Sequence, residues 1–236
     1  MHSFVFERYE IKYLITKEQY DSISEIIAQN MEEDSHGRST IQSLYFDTNK
    51  SLLIRQSIDK PTYKEKLRLR SYGVATKNSD VFLEIKKKYK QKVYKRRIVM
   101  NENNAHIFMN QYNPKTDTQI AKEISYMKLL YKDLEPRILL IYDRCAYSSN
   151  DLRITFDTNV RYRLNDLSLS KGLYGEKILD DNRILMEIKT SSTIPFWLAR
   201  LLSDNKIYKT SFSKYKEAYQ KLLMEEDDNE FVRINI

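Results

Sequence analysis

The sequence predicts an α+β protein in which an antiparallel sheet carries helices packed outside it. Three observations carry this reading. At least six segments alternate charged residues on one parity with branched or aromatic residues on the other, as half-buried strands do. Other segments place apolar residues at helical spacing. The composition is rich in β-favouring aromatics, with 18 Tyr and 9 Phe, against only 4 Gly.

The elements follow in order. Residues 4–15 alternate Arg8, Glu10 and Lys12 with Tyr9, Ile11 and Tyr13, a first strand. Thr16 to Gln19 reads as a capping box opening a helix whose apolar side is Tyr20, Ile23, Ile27 and Met31. Ser43, Tyr45 and Asp47 alternate with Leu44 and Phe46, and Thr48 is placed to cap a short helix through Leu52 and Leu53. Two central strands follow. The first sets Thr62, Lys64, Lys66, Arg68 and Arg70 on one face, and the second sets Glu84, Lys86 and Lys88 opposite Val81, Leu83 and Ile85. Val93 to Met100 returns as a hairpin around Gln91. Residues 101–131 look helical, with Ile120, Ile124, Met127 and Tyr131 on one face.

After Pro136, a strand puts Tyr142 and Arg144 on one side. The next groups Arg153, Thr155 and Asp157 opposite Leu152, Ile154 and Phe156, and Arg161 and Arg163 mark a further short strand. Residues 171–175 form a glycine-bearing loop. Residues 183–190 set Leu185, Glu187 and Lys189 against Ile184, Met186 and Ile188. Pro195 starts one helix, and a last helix runs from Ser213 into an acidic, solvated tail over 225–236. With no repeat, linker or composition break, residues 1–236 are expected to be one domain.

Net charge is +7 with a pI near 9.2, which points to an anionic partner. The single Cys145 excludes a disulfide within the chain and fits a reducing compartment. Neither a signal-peptide pattern nor an apolar run of membrane-spanning length is present, so a soluble, cytoplasmic protein is expected. No glycine-rich nucleotide loop of the G-x-x-x-x-G-K type occurs. His2, His36 and His106 are scattered, which argues against zinc sites and against Cys–His catalysis.

A strand face that is almost wholly positive repels itself unless an anion sits there. Alternation alone fits an open sheet with its basic face to solvent or nucleic acid as well as a closed barrel with its cations inward. In a closed barrel the interior must be wet or hold a polyanion, because burying unpaired cations costs several kcal/mol each.

The motifs Glu10-Ile-Lys12-Tyr13, Ser43-Leu-Tyr-Phe-Asp47, Leu67-Arg-Leu-Arg-Ser-Tyr-Gly73 and Phe82-Leu-Glu-Ile-Lys86 occur in that order. They are followed by Lys95-Arg-Arg97, Tyr142-Asp-Arg144, Leu152-Arg-Ile-Thr-Phe-Asp157, Met186-Glu-Ile-Lys189 and Phe212-Ser-Lys-Tyr215. Together they resemble the vacuolar transporter chaperone (VTC) domain, the polyphosphate polymerase branch of the CYTH-like triphosphate tunnel metalloenzymes. The resemblance implies a closed, eight-stranded antiparallel barrel forming a tunnel. It implies transfer of the terminal phosphoryl group of ATP onto inorganic polyphosphate, aided by a divalent metal, Mn2+ or Mg2+.

Carried over residue by residue, the tunnel cations fall on Lys12, Arg68, Arg70, Lys86, Arg144, Arg153, Lys189 and Lys214, and the metal-binding carboxylate on Glu187. Lys66, Lys88, Lys95, Arg97, Tyr45 and Ser213 are expected to add phosphate contacts. Glu10, Glu84, Asp47 and Asp157 share the charged parity and are expected to form salt bridges instead.

Two positions depart from the family. Ser211 stands where many relatives have lysine, with Lys209 two residues away. Arg8 replaces the first glutamate of the hydrolytic relatives' Glu-x-Glu-x-Lys, which weighs toward a polymerase over a triphosphatase acting on inorganic or nucleoside triphosphate. A non-catalytic polyphosphate-binding module is the third class, and retention of Glu187 argues against it. The partners implied are ATP and polyphosphate, with no nucleic acid and with a membrane partner left open.

Overall fold

The computed structural model describes residues 9–34, 37–59, 61–90, 92–111 and 118–234, with side chains through residue 224. The expectations resting on Arg8, His2, His36, the turn at Gln91 and the side chains of the acidic run lie outside the described residues. In chain order the elements begin with β1 (Tyr9–Thr16), α1 (Lys17–Asn30), β2 (Glu32–Glu33), β3 (Ser39–Asp47), α2 (Leu52–Ile58) and β4 (Tyr63–Tyr72). Next come β5 (Asp80–Tyr89), β6 (Lys92–Asn101), α3 (Glu102–Asn110), α4 (Gln119–Leu130), β7 (Glu135–Ser149) and β8 (Leu152–Arg163). The chain closes with β9 (Glu176–Lys177), β10 (Arg183–Thr190), α5 (Phe196–Asp204), β11 (Lys209–Thr210) and α6 (Lys214–Ile234).

This is a mixed α/β protein with a large antiparallel sheet, and its chain forms two compact units. One comprises Met1–Thr40, Tyr142–Arg161 and Lys177–Ser213, and the other Ile41–Ile141, Tyr162–Glu176 and Lys214–Ile236. The ladder order is β11-β1-β10-β8-β7 and then β7-β3-β4-β5-β6, with β2 on β7 and β9 on β8. Among the described residues the ladder is open, since β11 and β6 each pair with one strand only. The expected closure into an eight-stranded barrel is therefore not part of the described hydrogen bonding.

In the first unit the apolar parity of three strands is covered by helices. Tyr13 and Ile15 of β1, Ile154 and Phe156 of β8, and Ile184, Met186 and Ile188 of β10 pack with Ile23 and Ile27 of α1 and Leu198, Leu201 and Leu202 of α5. Each such buried side chain contributes about 1.5–3 kcal/mol. Helix α1 begins where expected: Thr16 Oγ1 accepts from the Gln19 amide at 3.2 Å, and Gln19 Oε1 accepts from the Thr16 amide at 3.0 Å.

The second unit repeats the logic with other helices. Leu44 and Phe46 of β3, Leu67 and Leu69 of β4, and Leu83 and Ile85 of β5 pack with Leu53 of α2, Ala105 of α3, and Ile124 and Met127 of α4. Thr48 takes part in starting α2, accepting from the Leu52 amide at 3.0 Å. The Asp47 carboxylate contributes more, accepting from the amides of Thr48, Leu53 and Ile54 at 2.8–2.9 Å. In both units the helices thus cover the apolar parity, and the charged parity is left to the other face.

Three expectations change. The helical stretch at 101–131 is two helices, α3 and α4, with Asn101 and Thr118 as separate N-caps. The strands expected around Asp157 and Arg161 are one continuous β8, which passes through Asn159 at φ 50°. Helix α6 runs through the acidic segment to Ile234 in place of the expected tail. Among the described residues no helix is long and apolar enough to cross a membrane.

Candidate functional site

In the first unit, register builds a compact ion-pair network on the charged face. Lys12 of β1 lies opposite Glu187 of β10, Glu10 lies opposite Lys189, and Thr155 of β8 faces Glu187 from the other side. Glu187 is buried, with Lys189 Nζ at 3.0 Å, Lys12 Nζ at 3.4 Å and Arg144 Nη2 at 3.7 Å. Lys12 also sits 3.5 Å from Glu10 and donates to the Phe212 carbonyl at 3.3 Å. Arg144 of β7 grips Asp157 through two parallel bonds of 2.6 and 2.7 Å.

Arg153 donates to Asp34, at 3.1 Å from Nε and 2.7 Å from Nη2. Burial opposes the charge on Arg144, but Asp157 outweighs it and lifts its proton affinity well above the usual guanidinium value. At Lys189 burial wins, and the ammonium titrates lower than usual despite Glu187 and Glu10. Ser213 lies just before α6, next to the Phe212 carbonyl that Lys12 holds. Lys209 pairs with Tyr13 and Thr210 with Lys12, so Lys209 takes the Tyr13 face, away from the network.

In the second unit a glutamate again sits at the centre. Glu84 of β5 lies between Arg68 of β4 and Arg97 of β6. Arg68 Nε approaches it at 2.7 Å, Lys95 Nζ at 2.7 Å and Arg70 Nε at 3.8 Å. Burial alone would raise this carboxyl, yet Arg68, Arg70 and Lys95 hold it down at about 2. Burial lowers Lys95 to about 8 against the attraction of Glu84. Along the same face lysines oppose lysines, with Lys66 opposite Lys86, Lys86 opposite Lys95, and Lys64 opposite Lys88. Arg97 lies over the Phe82 ring, 4.9 Å from its centroid.

An aromatic pair anchors one end of this face. Tyr45 stacks on Tyr215 at 4.1 Å between centroids and accepts from Arg68 Nη1 at 3.0 Å. Tyr215 donates to Asp47 at 2.9 Å and lies under Lys66, 5.2 Å from the ring centroid. Burial alone would raise the Tyr45 hydroxyl, but Arg68, Arg70 and Lys214 bring its pKa below the usual value. Lys214 opens α6 immediately before Tyr215, so the Asp47–Tyr215 bond fixes where its backbone starts.

Among the described residues no three His, Cys, Asp or Glu side chains converge to hold a metal. Glu187 offers one buried carboxylate inside a ring of cations. That donor set fits a hard divalent cation completed by phosphate oxygens, and does not fit one held by protein ligands alone.

Strand parity put the cations on the charged faces, and the salt bridges expected at Glu10, Glu84 and Asp157 form, but one partner was missed. Asp34, which holds Arg153, lies 119 positions away in a segment with no strand pattern to mark it. Glu84 as a second centre had a visible signal: the tripeptide Glu-Ile-Lys occurs at 10–12, 84–86 and 187–189.

A family model described as the VTC domain matches residues 7–223. No curated protein sequence matches significantly. Among solved structures, the chain is similar to a candidate adenylate cyclase from Bacillus halodurans, with 13% identity, TM-score 0.56, and coverage of 86% of this chain and 92% of that one. It is also similar to a candidate adenylyl cyclase from Hippeastrum, described as having a dominant triphosphatase activity. There the identity is 13% and the TM-score 0.53, covering 89% of this chain and 93% of that one. At such identities the likeness is one of fold.

Proposed function

The chain belongs to the VTC domain family, and on that premise we propose that it is a polyphosphate polymerase that transfers the terminal phosphoryl group of ATP onto a growing polyphosphate chain. The reading includes one domain over residues 1–236, the closed eight-stranded tunnel that the resemblance implies, and a cytoplasmic location. The observation that carries it is the lysine-opposite-lysine register of β4, β5 and β6, flanked by Arg68 and Arg70. Like charges directly opposed on neighbouring strands destabilise the sheet. A polyanion lying along that face removes the penalty.

In the reaction, the bond between the terminal phosphorus of ATP and its bridging oxygen breaks, and an oxygen at the end of the polyphosphate chain bonds to that phosphorus. ADP leaves with the bridging oxygen. Such a transfer needs alignment and charge neutralisation more than covalent help from the protein. Arg68 and Arg70 present planar donors to phosphate oxygens, while Lys12, Lys66, Lys86, Lys189 and Lys214 act as point charges. Strand backbones hold these groups in place, so little reorganisation is required as charge shifts to the leaving oxygen. A divalent cation, manganese or magnesium, neutralises phosphoryl oxygens when bound, and Glu187 is the residue that would hold it together with phosphate.

Hydrolysis of a triphosphate is the second reading, favoured by the activity described for the Hippeastrum protein of like fold. The two are separated by incubating the protein with ATP and manganese and resolving the products on a gel. Long polyphosphate is expected; orthophosphate without polymer would replace the polymerase reading with the hydrolytic one.

A further inference from the structure

The second unit carries a cavity of about 460 Å³ on the reverse side of β4, β5 and β6, the face opposite Lys66, Arg68 and Lys86. Its size is that of a small-molecule site. Strand register builds the floor. Tyr63 lies opposite Tyr89, Lys87 opposite Tyr94, and buried Ile85 opposite Arg96. Helix α4 supplies a wall through Gln119 and Glu123. Tyr63 and Tyr89 are 44% and 49% exposed, so their rings are not spent on the core. Three tyrosines around one cavity suit a flat ligand, which gains from stacked and edge contacts with their rings.

The charges around the cavity answer one another. Glu123 takes both lining cations, Lys87 through Nζ at 3.3 Å and Arg96 through Nη1. Glu65, opposite Lys87 in register, accepts from the hydroxyls of Tyr63 and Tyr131 at 2.8 and 2.9 Å. Lining cations and neighbouring carboxylates thus balance, and a charged ligand of either sign finds little net attraction. The hydrogen-bonding groups that stay available are neutral. Among the described residues the hydroxyls of Tyr89 and Tyr94 make no hydrogen bond, and the Gln119 side chain makes only a 3.5 Å contact with Glu123.

We propose that this cavity binds a neutral planar heterocycle, a nucleobase or nucleoside, at a site separate from the charged face. The tyrosine rings cover the faces of the base. The two hydroxyls and the Gln119 amide answer the donors and acceptors on its edge. This recognition uses no phosphate, so it stands apart from the phosphate-binding reading above.

Adenosine and uridine are the probes, titrated against the full chain by ligand-observed NMR in EDTA, with and without excess tripolyphosphate. Adenosine should bind more tightly than uridine, because two fused rings stack over more area, and tripolyphosphate should not displace it. Tyr94→Ala should weaken adenosine binding about 5- to 100-fold, the range for losing one stacked ring. Tyr94→Phe keeps the ring and should weaken it only severalfold. Tyr89→Ala, at the exposed end of the same hairpin, should also weaken it about fivefold or more, and it serves as the reading if Tyr94→Ala does not fold.

The inference is overturned if neither nucleoside binds at millimolar concentration, if tripolyphosphate displaces adenosine, or if the folded alanine variants bind adenosine as the wild type does. Adenosine monophosphate binding far more tightly than adenosine in the presence of tripolyphosphate would also overturn it, because the site would then read charge. Loss of tripolyphosphate binding with adenosine binding intact would break the phosphate-binding reading alone.

Discussion

The two units share a local pattern and use it differently. Each holds a buried glutamate in a Glu-Ile-Lys tripeptide, Glu187 in one and Glu84 in the other, and each glutamate is approached by three cations. Around Glu187 the neighbouring cations bring further carboxylates, Glu10 and Asp157. Around Glu84 the neighbouring strands bring more cations. The difference teaches that a strand's neighbours, and not its own sequence, decide what a buried carboxylate does. Glu84 is the counter-ion of a basic face; Glu187 is the carboxylate that, in the proposed function, would hold a divalent cation together with phosphate.

Substituting each glutamate by glutamine is the sharpest way to break this contrast. Glu187→Gln should lower manganese-dependent synthesis by a hundredfold or more, because a charge contact made in the transition state is lost. Binding of polyphosphate should persist or tighten. Glu84→Gln should instead act on folding, since removing one partner from a buried ion-pair cluster costs about 3–5 kcal/mol. A fall in melting temperature on the order of 10 °C is expected. If Glu84→Gln kills synthesis at unchanged melting temperature while Glu187→Gln stays active, the two roles are reversed.

Acidity and alkalinity probe the Glu84 cluster from both sides. In the unfolded chain this carboxyl keeps its ordinary value of 4.5, whereas in the folded protein it is held at about 2. The folded state therefore binds fewer protons between those values. The stability from Glu84 is complete above 4.5 and is lost as the pH falls toward about 2. The melting-temperature gap between the wild type and Glu84→Gln should shrink over that window. A gap that stays constant would mean the cations do not hold Glu84 ionised.

On the alkaline side, Lys95 releases its proton near 8. Metal-free tripolyphosphate affinity should fall severalfold as the pH rises through that value. Lys95→Arg should remove the fall, because a guanidinium stays charged.

The smallest expected effect concerns Thr155, which lies opposite Glu187 and is fully buried with no hydrogen-bond partner for its hydroxyl. Replacing an unsatisfied buried hydroxyl by a methyl of like shape is close to neutral or stabilising. Thr155→Val should leave the melting temperature unchanged or raise it by a few degrees. A clear drop would show that the hydroxyl is bonded and that the Glu187 network is larger than its ion pairs.

Much of this was legible before the fold was known. Strand parity assigned Lys12, Arg68, Arg70, Lys86, Arg153 and Lys189 to charged faces, because alternation is a property of the extended chain itself. The Thr16–Gln19 capping box was equally local. Two other features were less legible. The break between α3 and α4 had a local signal, Asn113-Pro114 ahead of the N-cap Thr118, that the helical spacing of 101–131 obscured, and the alternation of β8 in fact runs unbroken from Arg153 to Arg163, with Asn159 left-handed within it.

By itself, then, the sequence determined which residues share a strand face, where helices begin, and that the charged faces call for an anion. Only the tertiary structure decided which charges meet. Asp34 finds Arg153 across 119 positions, and Tyr215 finds Asp47 across 168. Ladder register sets Lys12 beside Glu187 but Arg97 beside Glu84. Coulomb energy depends on distance and on the local dielectric. Alternation settles only the direction in which a side chain leaves the backbone, whereas folding settles both of the quantities that give its charge a value.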